Sequence, residues 1–89
     1  MFRVRWSRHT LSKLTDLWTN ANAAARSAIT AATSAIDQML AADPKHAGES
    51  RFGGRRILIV YPLAVLFRVS TPQKTAYVVQ VHLMTRRRL

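Results

Sequence analysis

The stretch that most restricts the fold runs from Arg55 to Val69, RRILIVYPLAVLFRV, in which a run of eleven residues without a charge, apolar or aromatic throughout and including Pro62, sits between arginines. A helix spanning a bilayer needs about 20 such residues, so no membrane segment is expected. Proline removes a backbone donor and fixes φ, which disfavours a continuous helix or a central strand through this point. The run is rich in β-branched and aromatic residues on both sides of the proline. It therefore reads as two strands, Ile57 to Tyr61 and Ala64 to Val69, joined by a corner.

The other segments follow from periodicity. In FRVRWS, Phe2, Val4 and Trp6 alternate with Arg3 and Arg5, the period-two pattern of a half-buried strand. Ser7 or Thr10 can cap a short helix that carries Leu11, Leu14 and Trp18 at helical spacing and runs to about Thr19. Asn20 to Asn22 form a break. A second, alanine-rich helix spans Ala23 to Ala42, with Ala25, Ala28, Ile29, Ala32, Ile36, Met39 and Leu40 on one stripe suited to close packing on a sheet. Asp43-Pro44 ends it, and KHAGESRFGG reads as a polar surface loop. Thr75 to Leu83, TAYVVQVHL, is a last strand. The order is β-α-α-β-β-β: an α+β fold, mainly antiparallel, with two helices on one face of a sheet.

With 89 residues, one domain covering 1–89 is expected, and without cysteine it has no disulfide or thiolate metal site to reinforce its core. The N-terminus has no apolar stretch behind its basic residues, so no secretory signal is read there and a cytoplasmic location is expected. His9 and His46 stand singly, and no metal or other cofactor is expected. Glycine-rich phosphate loops, nucleophile triads and paired carboxylates are all missing, and no small-molecule ligand is indicated.

Charge is the strongest compositional signal: 14 Lys plus Arg against 4 Asp plus Glu, for a net +10. The acids Asp16, Asp37, Asp43 and Glu49 all lie in the first 49 residues, whereas Arg51, Arg55, Arg56, Arg68, Lys74, Arg86, Arg87 and Arg88 follow without an acid. Such a half attracts polyanions or acidic partners. Strict alternation puts Ala64, Leu66 and Arg68 on the face away from the helices, and Ala76, Val78, Gln80 and His82 on the same face of the last strand. Either Arg55 or Arg56 must join them. Taken singly these are ordinary exposed sheet residues; clustered, they form a basic, partly apolar binding face.

The layout of a basic strand ending in Trp6, two helices, LAADPKHAGESRFGGRR, then PLAVLFRV, a proline-containing turn and VVQVHL resembles the RelE/ParE superfamily of toxins from bacterial type II toxin–antitoxin systems. The resemblance covers essentially the whole chain. It implies a toxin, of the kind associated with plasmid stabilisation and growth arrest, that is neutralised by a cognate antitoxin segment wrapping the helices and sheet. RelE-like members cleave mRNA in the ribosomal A site with basic residues and often a terminal aromatic; ParE-like members inhibit DNA gyrase. This chain has Leu63-Ala64 where RelE-like toxins place a basic residue, and no tyrosine follows its C-terminal arginines. The nucleic-acid-binding set is then Arg55, Arg56, Arg68, Arg86, Arg87 and Arg88. Arg68 and His82 form a substitute catalytic pair, arginine stabilising charge on phosphorus and histidine transferring the proton. The competing expectation is a basic nucleic-acid- or ribosome-binding module, or a toxin that has lost its activity.

Overall fold

The computed structural model describes residues 1–85, so the expectation for Arg86, Arg87 and Arg88 lies outside the described residues. The chain runs β1 (Arg3–Trp6), α1 (Arg8–Thr19), α2 (Ala23–Ala42), β2 (Glu49–Arg51), a single 3-10 turn (Phe52–Gly54), β3 (Arg55–Val60), β4 (Leu63–Ser70) and β5 (Thr75–Leu83). Among the described residues five strands form one sheet in the order β1-β5-β4-β3-β2, with β1 parallel to β5 and the remaining pairs antiparallel. The two helices make the crossover that the parallel pair requires.

Local chemistry sets the element ends. Ser7 Oγ accepts from the Thr10 amide at 3.1 Å and caps α1, and Asn22 Oδ1 accepts from the Ala25 amide at 2.9 Å and caps α2. Arg26 on α2 closes the other end of α1: its Nε donates to Trp18 O and an Nη to Thr19 O, both at 3.0 Å, while the guanidinium stacks 4.5 Å from the Trp18 ring centroid. One side chain thus satisfies two orphan carbonyls and locks the helix pair. Trp6 Nε1 donates to Asp37 Oδ1 at 2.8 Å, fastening β1 beneath α2.

The core lies between α2 and the sheet. Ile29, Ala32, Ile36 and Leu40 bury themselves against Leu58, Leu63, Val65, Phe67, Ala76, Val78 and Val81, with Val4, Trp6 and Leu14 packed at its margin. Ala28 and Met39, expected on the buried stripe, are exposed. The i, i+3, i+7, i+11 row that starts at Ile29 is narrow, because one helix covers the middle of the sheet alone. Among the described residues no helix is long and apolar enough to cross a membrane.

Two sequence-based expectations need correction. The stretch expected to be a polar loop contains β2, which pairs Glu49, Ser50 and Arg51 with Ile57, Arg56 and Arg55. Gly48 makes this approach possible: at φ +65° a Cβ there would lie 2.0 Å from the Ile57 carbonyl oxygen, so only glycine lets the chain pass. The second correction concerns alternation on β5. Phe67 pairs with Val78 but Leu66 pairs with Gln80, leaving Val79 as a bulge. Ala76 and Val78 therefore face the core, before the bulge, and Val81 faces it after, while Tyr77, Gln80 and His82 lie on the opposite face of the sheet.

Candidate functional site

Strand register assembles the helix-distal face row by row. Arg5 on β1 pairs with Tyr77 on β5, Tyr77 with Arg68 on β4, Arg68 with Arg55 on β3, and Arg55 with Arg51 on β2. The row crosses every strand, a span of about 19 Å for four spacings of about 4.8 Å. Three of its members, Arg51, Arg55 and Arg68, are consecutive and directly opposed, at a separation where like charges repel. Among the described residues Arg55 and Arg68 have no hydrogen-bond or ion-pair partner; Arg51 Nη1 meets Glu49 Oε1 at 3.2 Å in an exposed pair. Exposed pairs of this kind are weak. The row is therefore a line of cations whose repulsion a bound anion would relieve.

The next row is apolar. Ile57 and Leu66 are half-buried beside the arginines, flanked by Gln80, and the row beyond it holds Ile59, Ala64 and His82. Tyr77 is oriented by its hydroxyl, which donates to Gln73 Oε1. At the β2–β3 end, Arg51, Phe52, Gly53, Arg55, Ile57 and Leu66 enclose a depression of about 430 Å³. At the β1 end, Arg3, Arg5, Lys74 and Tyr77 line another of about 580 Å³.

The expected site residues separate into three groups. Arg55 and Arg68 meet across β3 and β4, as the hairpin reading requires. Arg56 leaves this face: it pairs with core residue Phe67, and its Nε and Nη donate to Ala47 O at 2.9 Å and Gly48 O at 3.1 Å. Its fork holds the turn that enters β2. His82 shares the face with Arg68 but pairs with Ala64, four residues along β4, which separates their backbones by about 13 Å. That distance exceeds the reach of one phosphate, and the two do not form an adjacent Arg-His pair. His82 lies instead in a cleft of about 300 Å³ with His9, Lys13, Asp16 and Gln80, where α1 runs along the part of β5 that β1 leaves uncovered.

Arg5, Arg51, Tyr77 and Phe52 complete the face, and sequence reasoning does not single them out as site residues. Tyr77 falls on the opposite side when strict alternation is carried through the bulge; the signal is the Val78-Val79 doublet followed by Val81, three valines that cannot all alternate onto one side. The signal for Phe52 is an aromatic placed between arginines and directly before Gly-Gly.

No protein-family model matches the sequence, and no curated protein matches it. Solved structures do match by shape. A chain of the RelBE2 toxin–antitoxin complex from Mycobacterium tuberculosis superposes with a TM-score of 0.72 at 19% identity, over 92% of this chain and 96% of that one. The chromosomal ParDE system of P. aeruginosa gives 0.64 at 18% identity, over 96% and 98%, and the isolated E. coli RelE toxin gives 0.65 at 11%, over 98% and 88%. Two helices packed against a five-stranded, mainly antiparallel sheet match the fold of these RelE and ParE structures, and the chain has the RelE/ParE fold.

Proposed function

We propose that this chain is the toxin of a type II toxin–antitoxin pair and that it arrests growth through the open sheet face, acting in the cytoplasm on translation by engaging mRNA at the ribosome. The observation that carries the reading is the directly opposed row Arg51–Arg55–Arg68, continued by Tyr77 and Arg5. A sheet that only had to fold would not align like charges across three neighbouring strands. A phosphate chain supplies the missing counter-charge, and arginine forks hold phosphate oxygens in a fixed geometry. About 19 Å of track, four strand spacings of about 4.8 Å, is long enough to meet more than one phosphate of a single strand. The likeness to toxins solved with their antitoxins supports the same assignment and supplies the second partner, an acidic antitoxin segment that competes for the arginines.

If strand cleavage occurs, Arg55 and Arg68 would stabilise negative charge developing on phosphorus. Proton transfer would then fall to Tyr77, directly opposite Arg68, because His82 stands four residues along β4 from that arginine and does not reach the same phosphate. A second reading rests on that same spacing: with the histidine two residue pairs beyond the apolar row and no free carboxylate beside Arg55 and Arg68 among the described residues, the face suits binding without chemistry, as inhibition of DNA gyrase requires.

Induced expression with parallel readouts of transcript 5′ ends and plasmid supercoiling separates the two. New 5′ ends that vanish with Arg55→Gln/Arg68→Gln support mRNA cleavage; relaxed plasmid with intact transcripts supports gyrase. Unimpaired growth at good soluble expression would assign the chain to a basic nucleic-acid-binding module or an inactive toxin.

A further inference from the structure

Phe52 is 98% exposed, the most water-accessible aromatic side chain among the described residues. It stands at the head of the turn between β2 and β3, and the two residues behind it, Gly53 at φ 78° and Gly54 at φ 75°, take the left-handed conformation that glycine adopts without strain. An added Cβ at either glycine would meet nothing within 4 Å, so neither is there to make room for a neighbour. Their role is conformational: they return the chain so sharply that Arg51 and Arg55, on either side of the turn, face each other across β2 and β3. Phe52 thereby stands in a turn flanked by Arg51 and Arg55, and all three line one depression.

Phe52 also lines the depression of about 430 Å³ whose floor is the half-buried Ile57 and Leu66 and whose rim is the exposed Arg51 and Arg55. This size falls in the range of small ligand pockets. A track for phosphate alone needs no apolar floor and no aromatic wall. An apolar docking patch alone would not be ringed by arginine. A planar base with phosphates on either side satisfies both halves, stacking on Phe52 over Ile57 and Leu66 while its phosphates meet Arg55 and Arg68. Glu49, on the same face one row along, engages Arg51, which leaves Arg55 as the nearer phosphate donor.

We infer that the Phe52 depression is a base-stacking subsite at the β2 end of the arginine row, so that the ligand of this face is a single-stranded nucleic acid gripped by base as well as by phosphate. The inference rests on the polyanion reading of the row and adds to it the recognition of an unpaired base.

The test uses the full chain and two labelled single strands of equal length, an oligodeoxyadenylate and an abasic oligonucleotide, at low salt. Phe52→Ala lowers affinity for the base-bearing strand about tenfold or more and leaves the abasic strand unchanged. Phe52→Trp retains binding, and Phe52→Leu, apolar but without a π face, does not. Because the side chain is exposed, far-UV circular dichroism of all three variants should match the parent. An affinity of Phe52→Ala for the base-bearing strand equal to the parent's, or full retention by Phe52→Leu, overturns the subsite. Loss confined to an acidic peptide partner also overturns it and makes Phe52 a protein contact. If Arg55→Gln/Arg68→Gln weakens both strands while Phe52→Ala weakens neither, the arginine row stands without the subsite. If the parent binds neither strand, the polyanion reading falls and the subsite with it.

Discussion

Strand β4 presents two opposite surfaces built from adjacent residues. Leu63, Val65 and Phe67 are fully buried under α2, whereas Ala64, Leu66 and Arg68 line the side the helices leave open. On the first side every neighbour is chosen for packing: Phe67 against Val78, Val65 against Val81 and Leu58. On the second, neighbours are chosen against stability, since Arg68 faces Arg55 and Arg55 faces Arg51. The helix side explains why the chain folds, and the open side carries the function proposed for it. Substitutions should therefore divide cleanly, those on one side changing stability without touching affinity and those on the other doing the reverse.

The largest effect belongs to the packed side. Phe67→Ala empties the centre of the core and should cost about 3–5 kcal/mol, a large part of what a domain of this size has, read as a shift of the urea midpoint at constant slope. A destabilisation below about 1 kcal/mol would show that the core is not centred there. Gly48→Ala comes next. A Cβ set 2.0 Å from the Ile57 carbonyl forces β2 to move, so a destabilisation of at least about 1–3 kcal/mol is expected, with hydrogen-exchange protection falling in β2 and the adjoining half of β3.

The two neighbouring arginines sharpen the division further. Arg56→Ala removes two donors from the turn that enters β2 and should destabilise by about 1–2 kcal/mol while leaving polyanion affinity nearly intact. Arg55→Gln removes a charge from a repulsive row, and stability should stay level or rise by about 0.2–1 kcal/mol while affinity falls. If both variants behave alike in both assays, the faces are not functionally distinct. The smallest effect is expected at the exposed Asp43–His46 pair, 3.0 Å apart but largely in water; His46→Ala should change the midpoint by less than about 0.5 kcal/mol.

Much of the fold is legible in the sequence because the patterns are local. Pro62 marks a corner between strands, Asn22 and Asp43-Pro44 bracket α2, and alternation in FRVRWS announces β1 with its arginines outward. What stays hidden depends on residues distant in sequence. Strand β2 is three residues of polar character, and nothing in Glu49-Ser50-Arg51 favours a strand until Gly48 lets it lie against β3. The bulge at Val79 is equally silent, since only pairing with β4 reveals that Leu66 skips a residue. The site inherits both gaps. The meeting of Arg55 with Arg68 follows from the hairpin alone, to within one residue, whereas Arg51, Tyr77 and the wide spacing of Arg68 from His82 need the full register. Arg55 and Arg56 are chemically identical in the sequence. Only the direction of the pleat makes one a surface cation and the other a clamp on the turn.

The central claim is that the opposed arginines of the open face hold a phosphate chain. Its most direct test is the salt dependence of single-stranded oligonucleotide affinity for the parent and for Arg55→Gln/Arg68→Gln. Each phosphate left without its arginine should lower the slope of log affinity against log salt by about 0.7, so the double variant should bind more weakly with a slope reduced by about 1.4, at a stability no lower than the parent's. An identical slope and affinity in a variant that folds like the parent would contradict it.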